Sequence, residues 1–244
     1  MALGTTLSTD LDARPKLIRR RIPWSPPTLE AEWGLSAMLV CLVLTIFVGG
    51  PLAASGPGGK YVFDVFFSLL LLSGVVAVPR RRLIPFAVAA VTLLALVVRW
   101  TTHGAPSAKA AVWDDALSIL CLVMFAAFVL FQVFRAGPIT TYRIQGAIVA
   151  YLLVGLIWAA AYGMVYQLAP GAFTFPQGAR DSRLEHGLAY YSFVTLTTVG
   201  YGDIVPVHPL ARSLSMAEAL IGQLYPAVLI ARLVSMELAS RRRD

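Results

Sequence analysis

The sequence predicts an all-α integral membrane protein with six transmembrane helices, one re-entrant half-helix and an extended segment after it. Three observations carry this. The 244 residues are 58% hydrophobic and 14% charged, whereas soluble domains run about 45–50% apolar and 25% charged. Six apolar stretches reach the length of roughly 17–25 residues that a hydrocarbon core demands. A seventh, Gly187 to Thr197, has only 11 residues and cannot cross. Non-helical backbone following it is tolerated at membrane depth only where it lines water or is buried in protein.

Taken in order, residues 1–33 form a basic N-terminal arm with Arg14, Lys16 and Arg19 to Arg21, then Pro23, Pro26 and Pro27. The arm is expected on the cytoplasmic side, either lying on anionic headgroups or serving as a solvated orientation signal. It contains no apolar run ending in a small-residue cleavage site, so the first span is expected to stay as an anchor. Residues 34–136 form a four-helix unit. Leu35 to Ala54 is free of charge over 20 residues. The turn Gly56 to Lys60 faintly echoes a phosphate loop, but neither the full pattern nor a preceding strand is present. Tyr61 to Pro79 carries Asp64 near its outer end, and the basic loop Arg80 to Arg82 follows. Leu83 to Trp100 ends in Arg99 and Trp100 at an interface, and an outer loop, 101–115, closes on Asp114 and Asp115. Ala116 to Phe134 is the fourth span, after which Gly137 and Pro138 break the helix.

A second unit covers 143–238. Gly146 to Leu168 carries Gly155, Ala159 and Gly163 four residues apart, a stripe that lets another helix approach closely. A polar loop, 169–186, leads to the half-helix. Pro209 to Met236 is the last span, and 239–244 is a short basic tail. Asp64 and Glu218 could be buried ion-pair members or proton sensors, but at these outer ends solvation at the interface is the reading preferred. Thirteen basic residues fall on the side of the termini and six on the other, which predicts both ends cytoplasmic and the half-helix loop outside.

Several function classes lose support here. Cys41 and Cys121 both lie inside spans and read as buried hydrophobes, not as a disulfide or metal pair. His103, His186 and His208 have no metal-ligand spacing. No nucleophile–base pair stands out, so no enzyme activity and no organic cofactor are expected. The net charge of +7 sits at span ends and not on a surface interleaved with aromatics, which argues against nucleic acid.

The segment Thr195-Leu196-Thr197-Thr198-Val199-Gly200-Tyr201-Gly202-Asp203 fits no ordinary membrane helix. Glycine at every second position can take left-handed conformations without strain, so successive carbonyls can turn to one side. Four such ribbons around an axis would offer rings of oxygens in place of a cation's hydration shell.

From about 145 to 238 the chain resembles the pore domain of tetrameric potassium channels: outer helix, pore helix, filter and inner helix. The match is densest over Tyr190 to Asp203, and Thr198 to Gly202 repeats the family's filter signature. The resemblance implies K⁺ ions bound by the carbonyls of Thr198, Val199, Gly200 and Tyr201 and the Thr198 hydroxyl, with Gly202 completing the filter. It implies support from Tyr190, Tyr191, Thr197 and Asp203. Tyr191 is expected to hydrogen-bond Asp203, although both tyrosines also suit interfacial anchoring. Some relatives carry glutamate where this chain has Val194, which cannot pair with Asp203. Gly222 matches the family's hinge glycine, and Pro226 follows one turn later; a packing glycine with a static kink fits equally. Ala219, Gln223, Pro226 and Ile230 would share a cavity-lining face.

The partners implied are three further copies of this chain and membrane lipid. The fourth span holds no Lys or Arg, so little voltage gating is expected. A less selective monovalent cation channel and a non-conducting regulatory subunit remain the alternatives. The Ala- and Arg-rich composition suggests a bacterial inner membrane.

Overall fold

The computed structural model describes residues 29–53, 55–78, 84–102, 108–135, 140–176 and 181–241. Most of the basic arm, the loop Arg80 to Arg82, Gly137, Pro138 and residues 242–244 lie outside the described residues.

The chain is an all-α membrane protein. Helix α1 (Leu29–Leu44) runs through a π-helical turn (Thr45–Gly49) into α2 (Gly50–Ala53). Pro51 has no N–H to give the carbonyl four residues back. The Gly50 N–H reaches Thr45 O instead, and the turn widens. Then come α3 (Pro57–Ala77), α4 (Ile84–Thr102), α5 (Ala108–Phe134), α6 (Thr141–Leu168), α7 (Asp181–Leu196) and α8 (Pro209–Arg241). Among the described residues, six helical segments are long and apolar enough to cross a membrane.

Three expectations change. The outer loop ends earlier, because α5 starts at Ala108 and Asp114 and Asp115 are helical. Gln167 Nε2 of α6 donates to Asp115 Oδ2 at 2.9 Å. The half-helix is α7, with 16 residues instead of 11, because the polar stretch 181–186 also coils. At about 24 Å it remains shorter than the core. The loop before it is not uniformly polar: Ala172 and Phe173 are buried. There β1 (Phe173–Thr174) pairs antiparallel with β2 (Val205–Pro206), tying the chain after the filter signature to the chain after α6.

Helices α1 and α5 pack along α6 of the same chain. One apolar cluster runs from Leu35 and Met38 through Leu70 and Phe125 to Val149 and Leu153. The small-residue stripe makes this possible. A Cβ on Gly155 would lie 2.5 Å from the Phe193 ring, and one on Gly163 would lie 3.1 Å from Asp115 Oδ2.

Arg99, expected at an interface, is buried, and so is Asp64, which is only 4% exposed. Arg99 Nη1 donates to Asp64 Oδ1 at 3.0 Å, and Nη2 donates to Asp114 Oδ2 at 2.8 Å and to Ser118 Oγ at 3.2 Å. Its guanidinium lies 4.1 Å from the centroid of the Phe67 ring. A buried charge persists only where partners replace its water; here carboxylates from α3 and α5 do so for a cation on α4. Replacing Arg99 with methionine takes the cation from beside two carboxylates. It should destabilise the chain by about 3–5 kcal/mol, read as a lowered thermal midpoint in detergent.

Candidate functional site

The segment after α7 alternates in handedness. Thr198 has φ +61°, Gly200 +57° and Gly202 +76°. Among the described residues, Thr198 is the one non-glycine with positive φ. A residue with Cβ held there is strained, and such strain persists only where its surroundings enforce it. The surroundings are the last turn of α7. The Thr198 N–H donates to Thr195 O at 2.9 Å, and the Val199 and Gly200 N–H groups both donate to Val194 O at 3.0 and 3.3 Å. The Thr197 hydroxyl and N–H both go to Phe193 O, at 2.7 and 3.0 Å. These N–H groups are therefore spent on the helix side, and left-handed residues at every second position are what turns carbonyls to one face.

Helix α7 is fixed from both flanks. Tyr151 of α6 donates to Leu196 O at 3.3 Å. Gly222 of α8 crosses at the same carbonyl, where a Cβ would lie 1.9 Å from Leu196 O. Gln223 Nε2 donates to Thr198 Oγ1 at 2.9 Å, so the polar member of the expected cavity face touches the start of the alternating segment. Gln223, Pro226 and Ile230 are exposed or half-buried, as is Ala219. Helix α8 runs unbroken through Gly222 and Pro226.

Tyr191 does not make the hydrogen bond to Asp203 that was expected of it. The Tyr191 hydroxyl lies 2.6 Å from Ser215 Oγ, and its ring packs edge-on against Tyr162 and Phe173. Tyr190 stacks on Tyr201, with centroids 6.4 Å apart and planes 3° apart, and lies close enough to Asp203 for the carboxylate to act on its hydroxyl. One residue turns a helix by about 100°, and the face of Leu188 and Ser192, both buried, takes Tyr191 with it. Partial desolvation and the Asp203 carboxylate hold the Tyr190 hydroxyl above its ordinary pKa, so it remains a donor through the neutral range.

Glu218, expected in interfacial water, is fully buried. The Tyr162 hydroxyl donates to its Oε2 at 2.6 Å, and Ser192 Oγ lies 2.6 Å from its Oε1. Helical spacing holds the reason: Glu218 is four residues before Gly222, on the stripe of α8 that also buries Ala211 and faces α7. A small-residue contact one turn away is the signal that the sequence offers.

A family model described as an ion channel matches residues 150–238. A protein LctB of Geobacillus stearothermophilus is 49% identical over 57 residues, 23% of this chain and 41% of its own length. Two pore potassium channel c of Oryza sativa subsp. japonica is 36% identical over 93 residues, 38% of this chain and 20% of its own. The inward rectifier potassium channel Kirbac3.1 of Paramagnetospirillum magnetotacticum is 33% identical over 82 residues, 32% of this chain and 24% of its own. The chain thus spans less than half the length of each of these three relatives. No solved structure matches. Residues 150–238, which hold most of α6, all of α7, the alternating segment and most of α8, are thus the part of the chain that is similar to ion channels.

Proposed function

We propose that this chain forms a K⁺-selective channel in which four copies surround one axis and K⁺ moves passively down its gradient. The observation that carries the reading is the left-handed alternation at Thr198, Gly200 and Gly202. It suits a ribbon presenting the carbonyls of Thr198, Val199, Gly200 and Tyr201 to a dehydrated cation. Assembly is supported by α8, which leaves Leu220, Leu224, Val228 and Val234 more than half exposed in the single chain. The C-terminal end of α7 carries partial negative charge and ends at the filter, which favours a cation there. The excess of basic residues on the side of the termini supports both ends in the cytoplasm, and the composition supports a bacterial source. The deciding experiment is the reversal potential of purified protein in liposomes under opposed K⁺ and Na⁺ gradients. A value near the K⁺ equilibrium potential, with barium block, supports the reading. A value near zero would favour a less selective cation pore, and no flux would favour a non-conducting subunit.

Two expectations attach to this reading. Gln223→Leu removes the donor to Thr198 Oγ1 and the polar group beneath the filter. Block by a quaternary ammonium ion applied from the inner side should weaken, because the cation loses a polar side chain from the face it would meet. Unchanged block in single-channel recordings would remove Gln223 from the cavity. Opening should also depend weakly on voltage. Among the described residues α5 carries a single cation, Lys109 in its first turn, and one charge crossing the field supplies only about 2.3 kcal/mol per 100 mV. Bilayer recordings across both polarities check this.

A further inference from the structure

Behind α7 three oxygen–oxygen contacts form one chain. Tyr162 Oη lies 2.6 Å from Glu218 Oε2, Glu218 Oε1 lies 2.6 Å from Ser192 Oγ, and Ser192 Oγ lies 2.7 Å from Gly155 O. Each distance is that of a full O–H···O hydrogen bond, so each contact needs one proton between its oxygens. Gly155 O can only accept, and each hydroxyl has one proton to give. With Glu218 ionised there are two protons for three contacts. If Ser192 gives its proton to Gly155, it meets the carboxylate lone pair to lone pair. If it gives the proton to Glu218, it meets the Gly155 carbonyl the same way. A proton on Oε1 completes the set: Tyr162 donates to Glu218, Glu218 to Ser192, and Ser192 to Gly155.

The surroundings agree. Among the described residues, the titratable groups facing Glu218 are Tyr162 and Tyr151 from α6, with Tyr191 of α7 packed on Tyr162 and against Ser215 of Glu218's own helix. The ion pairs that Arg99 makes lie elsewhere, among α3, α4 and α5. An ionised carboxylate buried without a cation is costly in a low-dielectric site.

We propose that Glu218 is held as a neutral carboxylic acid, and that its proton ties α6, α7 and α8 together behind the filter. Glu218 is on this account a positioning residue, and its role rests on residues 198–202 being the filter. Two residues beyond Ser192, Val194 O anchors the Val199 and Gly200 N–H groups. When the proton leaves, one of the three oxygen pairs turns repulsive, Ser192 parts from α6 or from α8, and the filter anchor moves with α7.

The test is infrared difference spectroscopy on the full chain in liposomes, wild type against Glu218→Gln. A protonated-carboxyl stretch at neutral pH that is missing from the variant is expected, and its absence from the wild type would overturn the proposal. Glutamine reproduces the neutral acid's pattern, with Nε2 donating to Ser192 and Oε1 accepting from Tyr162. Wild-type K⁺ flux should therefore fall roughly tenfold, the worth of one buried hydrogen bond, as alkaline pH removes the band, while Glu218→Gln holds its flux over the same range. A variant whose flux falls in step with the wild type would overturn the positioning role. Should Glu218→Gln not assemble, Ser192→Ala, which deletes the proton's acceptor, must shift the wild-type band; an unshifted band counts against the proposal. A wild type that shows the band but carries no K⁺ would sink the channel reading and leave the protonation standing.

Discussion

Replacing Gly200 with alanine is expected to abolish K⁺-selective flux while leaving the helices intact. Gly200 sits at φ +57° with nothing within 4 Å of a would-be Cβ, so the penalty is conformational and not steric crowding. A side chain in the left-handed region costs about 1–2 kcal/mol per residue. In four copies this amounts to roughly 4–8 kcal/mol, comparable with the whole stability of an ordinary domain. The ribbon can escape by returning position 200 to the ordinary region, which rotates the Val199 carbonyl away from its neighbours. Reversal potentials read the loss of selectivity, and circular dichroism with size-exclusion chromatography reads the intact fold. Gly171→Ala is the matched control, since Gly171 has φ +84° in the loop between α6 and α7, also with open space around it. That variant should lose stability without losing selectivity. Wild-type selectivity in Gly200→Ala would sink the assignment of the ribbon.

The second large effect is expected at Gly222. An alanine Cβ there would lie 1.9 Å from Leu196 O and 2.8 Å from Leu196 C. Both are backbone atoms, so no side chain can swing aside and α8 must move off the end of α7. Overpacking of this kind costs about 1–3 kcal/mol per site, multiplied over the copies in the assembly. The Gln223–Thr198 bond, one residue along, should open with it. Gly222→Ala should therefore lower both the thermal midpoint of the assembly and its flux. A glycine that served only as a bending point would behave differently, with the midpoint kept and only opening reduced. An unchanged midpoint would thus return Gly222 to the hinge reading.

What the sequence made legible was whatever is encoded locally. The six spans follow from runs of apolar residues, and the ribbon follows from glycines two apart. Gly155 and Gly163 announced close helix approach, and Phe193 and Asp115 are what approach. What stayed hidden depends on helix rotation and on partners distant in sequence. Nothing near Arg99 says that Asp64, 35 residues back, and Asp114, 15 ahead, converge on it. Tyr190 and Tyr191 differ by one position, and only the packing of α7 decides which meets Asp203. Glu218 reads as a surface acid because hydropathy averages over a window, whereas burial depends on which stripe of α8 faces α7. The positive φ of Thr198 is hidden for a similar reason: sequence flags glycine, not a threonine forced into glycine's region by the hydrogen bonds around it.

The docking of α1 and α5 onto their own α6 bears on how finished particles behave. In the proposed assembly, with the peripheral helices folded back on their own chain, a subunit would leave or join as a self-contained wedge with no unthreading. Mixed populations of differently tagged chains would then scramble at a pace set by the central contacts of that assembly, a rate that subunit-exchange measurements read.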